Sequence, residues 1–178
     1  MTMERLGRWV LTGSMSASPY LIATTAAAVT SAVVGGIFYA FSTFVMAGLD
    51  RAQPAEAIAA MRGINAEAQA NAPFLVMFVG SAVLALGVGV AAGFRLAQPG
   101  TGYVLAGAVA AVVAFVVTMA FNVPLNDHLA AVDPTGLTAA DASREWHAYL
   151  GPWTAWNHVR TAAPLLGSVL MLVGLRGR

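Results

Sequence analysis

The chain has 178 residues, of which 58% are hydrophobic and only 10% are charged. Because a soluble domain carries about 25% charged residues, this composition indicates an integral membrane protein. The formal net charge of +1 is too small to indicate a surface that binds nucleic acid. Cysteine is absent, which excludes disulfides, thiolate metal sites and cysteine nucleophiles.

Four apolar segments follow one another along the chain, at about 20–47, 73–94, 103–121 and 153–175. Each approaches the roughly 20 apolar residues that a membrane helix needs. The second and third segments contain no charge, so they lack the polar face of a helix on the surface of a soluble bundle. We therefore predict an all-α fold, an integral membrane four-helix bundle, with one domain over 20–175 and tails at 1–19 and 176–178.

Small residues are frequent in these segments, and Gly89 and Gly93 have the spacing of a small-xxx-small motif. Glycine and alanine allow helix backbones to approach closely in lipid. The pattern favours a tight bundle.

Arginine supplies all nine basic residues and bears on the topology. Four spans place both termini on one face, and the excess of positive charge marks the cytoplasmic side. The other face has four arginines. The terminal face has five, namely Arg5, Arg8, Arg95, Arg176 and Arg178. We expect a bacterial-type cytoplasmic membrane with both termini in the cytoplasm.

Two longer connections, at about 48–72 and 122–152, are predicted on the opposite face, each with short helices. Residues 54–62 read as an amphipathic turn pair, and Thr138 with Asp141 has the spacing of a capping box. Val123 precedes Pro124, which disfavours helical geometry and predicts that the third span stops near Asn122. A Gly-Pro pair at 151–152 predicts a break before the fourth span.

A faint repeat relates the two halves of the chain. The triplet Ala-Phe-Ser at 40–42 precedes Pro54, and Ala-Phe-Asn at 120–122 precedes Pro134 after the same interval. This spacing favours two similar helix-loop-helix halves.

Residues 153–161 concentrate two tryptophans, an amide, an imidazole and a guanidinium at the start of a membrane helix. Polar groups in such a place cost free energy unless they are paired or used. Asn157 and Thr161 are four residues apart and share one face of the helix. The alternative interpretation is an interfacial belt, in which tryptophan lies at the headgroups and Arg160 snorkels.

Other candidate residues flank the remaining spans. Asn122 and Asn126 lie near the predicted end of the third span, where amides either form a polar pocket or simply cap the helix. The first span ends in aromatic residues that either pack the bundle or form the wall of a pocket for a flat substrate. The residues concerned are Phe38, Tyr39, Phe41 and Phe44, with Asn65 in the first connection.

Metal binding is a weaker alternative, because no H-x-x-x-H or H-E-x-x-H spacing occurs. His128 and His158 with a carboxylate are the ligands to expect if copper or iron is bound. Haem is disfavoured, because no histidine lies in the middle of a predicted span.

Four motifs together resemble the anthrone oxygenase-like family of small four-helix membrane proteins. They are F-Y-A-F-S at 38–42, M-x-x-I-N at 61–65, N-V-P-L-N at 122–126 and W-x-x-W-N-H-V-R-T at 153–161. The last two are the specific ones. The resemblance extends over about 20–175 and implies oxidation of an anthrone or hydroquinone-like lipophilic aromatic compound by dioxygen.

If the resemblance holds, we expect a cofactor-independent reaction. His158 is the expected base, because imidazole titrates near neutrality. Asn157, Asn122 or Asn126 would donate to the developing oxyanion, and Arg160 would stabilise its charge. The expected substrate contacts are Trp153, Trp156, Phe38, Tyr39, Phe41 and Asn65.

Two further hypotheses stay open at this point. One is an oxidase at the same site that depends on copper, iron or haem. The other is a non-catalytic membrane module that binds a lipid or a partner protein. The expected partners are a lipophilic aromatic molecule, dioxygen and membrane lipid, with no nucleic acid, and the sequence also allows a homo-oligomer.

Overall fold

The computed structural model describes residues 18–177, which form helices and turns without any strand. Four helices are long and apolar enough to cross a membrane, and they confirm the predicted membrane bundle. We number the helices α1 (Pro19–Leu49), α2 (Pro54–Ala70), α3 (Ala72–Gly93), α4 (Thr101–Ala131) and α5 (Ala139–Arg176). The predicted N-terminal tail, with Arg5 and Arg8, lies almost wholly outside the described residues.

The four long helices form a closed ring in which α5 packs between α1 and α4, and α3 closes the other side. Both described ends of the chain lie at one end of the bundle. There the Arg95 guanidinium lies 4.6 Å from the ring centroid of Tyr20, and Gly100 approaches Gly174. Helix α2 covers the opposite end, where it packs on the first turns of α5.

Two π-helical turns interrupt the long helices, at Phe41–Val45 in α1 and Thr118–Asn122 in α4. A π turn holds one residue more than an α turn, and such turns often occur at functional sites. The two Ala-Phe-polar triplets of the sequence repeat overlap these turns. Each half of the predicted repeat therefore has a backbone irregularity near its triplet, although the two turns differ in register by three residues.

The predicted stop of the third span at Asn122 is wrong, because α4 continues to Ala131. Val123 has α-helical dihedral angles, and Pro124 lies in the first turn after the π-helical segment. Proline is tolerated there because the preceding π-helical turn changes the hydrogen-bond pattern of α4, so that Pro124 restarts the helix and its missing N–H is tolerated as it would be in a first turn. Much of the predicted second connection is therefore helix, and only residues 132–138 link α4 to α5.

The predicted break at residues 151–152 is also wrong, because α5 runs continuously through Pro152 and Pro164. An interior proline costs about 3 kcal/mol. A stripe of buried side chains crosses Pro152 without interruption, and its packing offsets that cost: Trp146, Tyr149, Trp153, Asn157 and Arg160. The predicted cap of this helix is confirmed, since Asp141 N donates to the Thr138 hydroxyl at 3.2 Å. The predicted turn pair at 54–62 is part of the single helix α2.

Glycines let α4 and α5 pack with their backbones in contact. A Cβ atom added to Gly167 would lie 2.6 Å from the carbonyl oxygen of Gly107 and 3.0 Å from the nitrogen of Ala111. Gly89 faces Ala108, whereas a Cβ atom on Gly93 would meet nothing within 4 Å. The tight seam is thus formed by α4 and α5 and not by the Gly89–Gly93 pair.

We predict that Gly167→Ala lowers the free energy of unfolding by about 1–3 kcal/mol, because the new methyl group would collide with the α4 backbone. Titration with a denaturing detergent measures this change. Gly87→Ala is the matched control, since a Cβ atom there meets nothing within 4 Å. Equal effects of the two substitutions would contradict the close contact between α4 and α5 at Gly167.

Candidate functional site

Arg160 is a buried cation in the polar half of the bundle, with 5% of its surface exposed. Its guanidinium carbon lies 4.0 Å from the ring centroid of Phe38 and 5.0 Å from that of Trp153. Its Nε and Nη2 atoms donate to Asn157 Oδ1 at 3.2 and 2.7 Å. No carboxylate pairs with Arg160 among the described residues. The guanidinium is therefore bound by a neutral amide and two aromatic faces, and its charge is not neutralised.

Asn157 holds this guanidinium in place and uses both ends of its amide to do so. Its Nδ2 atom donates to the carbonyl oxygen of Phe38 at 2.8 Å and to Ser42 Oγ at 2.8 Å. The Thr161 hydroxyl donates to the Asn157 carbonyl oxygen and lies 3.0 Å from Ser42 Oγ. Both N–H donors and both acceptor positions of the amide are satisfied, which fixes its orientation.

Asn126 is oriented by two donors from α5. Its Oδ1 atom accepts from the Tyr149 hydroxyl at 2.9 Å and from Trp153 Nε1 at 2.8 Å. With the oxygen occupied in this way, the Nδ2 group is left as the donor that Asn126 offers to a ligand.

A cavity of about 550 Å³ lies beside Arg160 and is lined by residues of all five helices. Its polar lining residues include Arg160, Asn126 and Asn65, and the Asn65 Nδ2 atom is buried without a hydrogen-bond partner. Much of the remaining wall is aromatic, with Phe74 stacked on Phe78 at 5.8 Å between ring centroids and Phe78 5.5 Å from Phe115. The volume is typical of a site for a small organic molecule.

Three polar side chains of this cavity offer hydrogen-bond donors to a ligand. Arg160 has only donors, the Asn126 oxygen is already occupied by two donors, and the Asn65 Nδ2 atom has no acceptor. Among the described residues that line the cavity, none carries a carboxylate or an imidazole. The cavity therefore favours a ligand with an aromatic body and with acceptor or anionic oxygens at one end.

A family model described as anthrone oxygenase matches residues 68–170. The chain belongs to the anthrone oxygenase family. The match confirms the resemblance carried by the sequence motifs, and it includes the two specific ones, at 122–126 and 153–161. No curated protein and no solved structure matches the chain.

In this family member, several of the residues predicted to form the site do come together. The cavity wall includes six of them: Phe38, Phe41, Asn65, Asn126, Trp153 and Arg160. Asn157 lies behind this wall and contacts Arg160. Phe38, Phe41 and Asn65 precede the matched region, so the structure and not the family match brings them to the site.

His158 does not line this cavity. It is exposed and lines a separate groove on the other side of α5, with Ser42, Asp50 and Thr154. A helix turns by about 100° per residue, so the neighbour of buried Asn157 points away from it. The role of His158 as base stays a prediction, and the geometry does not favour it.

Three other predicted residues also lie outside the cavity wall. Tyr39 is 55% exposed, and Trp156 stacks on Phe121 with 3.7 Å between ring centroids. Asn122 is buried; its Nδ2 atom donates to the Trp153 carbonyl oxygen at 3.2 Å, and its Oδ1 atom has no partner. Asn122 thus ties α4 to α5 next to the site.

The metal hypothesis involved His128 and His158. His128 lies 3.2 Å from a carboxylate oxygen of Glu145 on the exposed surface. The described part of the chain contains no group of three or more His, Cys, Asp or Glu side chains that could hold a metal ion. A copper or iron site at these residues stays a prediction.

The sequence analysis did not assign most of the apolar cavity wall to the site, including the aromatic residues Phe74, Phe78 and Phe115. Phe74 and Phe78 are four residues apart directly after Pro73, which places them on one face of α3. That spacing was the available signal, but in an apolar membrane segment it does not stand out from ordinary lipid-facing or packing residues.

We predict that Asn157→Ala lowers the free energy of unfolding by about 3 kcal/mol, because it removes the amide acceptor of the buried guanidinium and the second donor to the Phe38 carbonyl, which otherwise accepts from Phe41 N. Asn71→Ala is a matched control. Its amide only caps α3, accepting from Phe74 N at 2.9 Å, so we expect a loss of about 1 kcal/mol. The comparison uses unfolding in a denaturing detergent, and equal losses would show that Asn157 does not hold Arg160.

Proposed function

We propose that this protein oxidises a lipophilic aromatic ketone or hydroquinone of the anthrone type with dioxygen, and that it binds the substrate as an oxyanion. The observation that carries the proposal is the buried Arg160 guanidinium, which borders the cavity and has no carboxylate partner among the described residues. The family match supports an oxygenase-type role.

Anthrones suit this site because the anion formed by loss of a ring methylene proton is a fully aromatic phenolate. A positive charge beside the phenolate oxygen stabilises it, and the effect is larger in a buried site than in water. Arg160 supplies that charge, and the N–H groups of Asn126 and Asn65 supply hydrogen bonds to the same or a second oxygen. Trp153 and Phe78 would contact the flat faces of the rings.

A hydroquinone would give the quinone by passing two electrons and two protons to dioxygen, which becomes hydrogen peroxide. For an anthrone, the proposed reaction is also balanced without a further oxidant or reductant. The methylene carbon loses a proton, and the resulting anion transfers electrons to dioxygen and forms a carbon–oxygen bond. The peroxide takes up a proton, and the hydroperoxide then loses its remaining C–H proton as the O–O bond breaks. The products are the quinone and one molecule of water.

No metal or cofactor is part of this proposal. The first proton goes to water at the exposed Gln69 side of the cavity as the anion forms, because no carboxylate or imidazole lines the cavity among the described residues. Arg160 does not accept this proton, since a guanidinium stays charged in proteins. Its proposed role is to make the bound anion more stable than the neutral ketone.

A second candidate is a module that binds lipophilic anions without transforming them. The lack of a proton acceptor in the described cavity wall favours it, because binding alone needs none. The two candidates differ in a single result, namely whether a bound anthrone is converted to the quinone when dioxygen is admitted.

We predict that Arg160→Gln lowers kcat/KM for anthrone by about 100- to 1,000-fold, the usual effect of removing a group that stabilises an oxyanion. Glutamine can still donate to Asn157, so the fold is kept while the charge is removed. Quinone formation by purified protein in vesicles gives the rate. Arg160→Lys keeps the charge but loses the planar fork, and we expect an intermediate rate.

Arg144→Gln is the matched control for these variants, because Arg144 is exposed and pairs with Asp141 at the surface. We expect it to stay within about twofold of the wild type. Wild-type turnover in Arg160→Gln would refute the role of the guanidinium. A protein that binds anthrone but never forms the quinone would establish the binding module instead.

The role of His158 is tested by His158→Ala, together with metal analysis of both purified proteins. The position of His158 in the outer groove predicts turnover within about twofold of the wild type. A large loss of turnover with no metal in either protein would establish His158 as the base. Stoichiometric copper or iron in the wild type that is lost in the variant would establish it as a ligand.

A further inference from the structure

The cavity wall includes side chains that no other part of the described chain covers. Leu75 and Val79 on α3 are 37% and 42% exposed, and Met119 on α4 is 52% exposed. All three lie in helices long and apolar enough to cross a membrane. Large apolar side chains on such helices face hydrocarbon, so this part of the wall separates the cavity from lipid and not from water.

The end of the cavity that would otherwise face water is covered by α2. Met61 of α2 has no exposed surface and packs in a cluster with Leu129, Trp146 and Trp153. Arg62 Nη1 donates to the carbonyl oxygen of Val132 at 2.5 Å, which ties α2 to the end of α4. Helix α2 is therefore held over this end of the cavity by packing and by a hydrogen bond.

The exposed lining residues become less polar from the end of α2 along α3. Gln69 is exposed at the end of α2, next to the Asn71 cap where α3 begins. One turn into α3 the lining becomes Leu75, and a further turn on it becomes Val79. An opening with an amide at the level of the headgroups and aliphatic side chains below suits a molecule with polar oxygens and a lipophilic body.

We infer that the cavity opens sideways between α3 and α4, and that the substrate is a bilayer-dissolved aromatic ketone that enters through this opening. The identity of the substrate rests on the proposed function, whereas the opening rests on the exposed lining alone. The entering molecule would turn its oxygens towards Asn65 and Arg160, which bind them. Its rings would slide between Val79 and Met119 towards Phe78.

The experiment narrows the opening with the double variant V79F/M119F in protein reconstituted into phosphatidylcholine vesicles. The matched control is V76F/V83F, because Val76 and Val83 are 73% and 64% exposed on the same helix α3 and do not line the cavity. Both variants keep all four tryptophans of the chain. The single variants V79F and M119F replace the double variant if it unfolds at a lower temperature than the control.

Two rates are measured: oxidation of anthrone dissolved in the vesicles, and quenching of tryptophan fluorescence after stopped-flow mixing of the protein vesicles with vesicles that carry anthraquinone. We expect both rates to fall by about tenfold or more in V79F/M119F and to stay within about twofold in the control. Water-soluble anthraquinone-2-sulfonate, added outside the vesicles, is expected to quench more slowly than anthraquinone in the wild type.

The two readouts separate the inference from the proposed function. Quenching that is slowed only in V79F/M119F supports the sideways opening, even if no protein forms the quinone, in which case the proposed function alone fails. Wild-type quenching and turnover in V79F/M119F would overturn the inference. No quenching in the wild type, or faster quenching by anthraquinone-2-sulfonate than by anthraquinone, would overturn it too.

Discussion

The arrangement of the whole polar half of this protein depends on the contact between Arg160 and Asn157. A charged side chain within a membrane helix costs about 3 kcal/mol on insertion scales, and the usual compensation is a carboxylate. Here a neutral amide accepts two hydrogen bonds from the guanidinium, and the faces of Phe38 and Trp153 surround it. These contacts hold the cation in position but leave its charge available to a ligand at the cavity.

The long helices bring the remaining parts to this cation. Continuous packing across Pro152 puts Trp153, Asn157 and Arg160 on one buried face of α5. The π-helical turn of α1 lies next to the Phe38 carbonyl and the Ser42 hydroxyl, which receive the donors of Asn157. The corresponding irregularity of α4 ends at Asn122, one turn before Asn126. Residues from both halves of the chain thus contribute to one site, and α2 covers its end.

Length and composition were sufficient to predict the membrane bundle, because a charge-free apolar segment of about 20 residues has few other stable states. Helical periodicity also correctly placed Asn157 and Thr161 on one face. The predicted proline stops failed, because tertiary packing and a π-helical turn accommodate prolines that would end an isolated helix. Which face of α5 borders the cavity depends on α2, α3 and α4 together, so the sequence could not separate His158 from Arg160. Phe78 could not be recognised as a site residue, because its neighbours in the sequence are equally apolar.

The central claim is that the Arg160 charge binds the substrate as an anion, and the absorption spectrum of bound anthrone tests it most directly. Anthrone is added to the purified protein without dioxygen, at a pH where free anthrone is the neutral ketone. The account predicts the long-wavelength absorption of the anthrone anion with the wild type and the neutral spectrum with Arg160→Gln. Anthrone that binds the wild type but keeps its neutral spectrum would contradict the account.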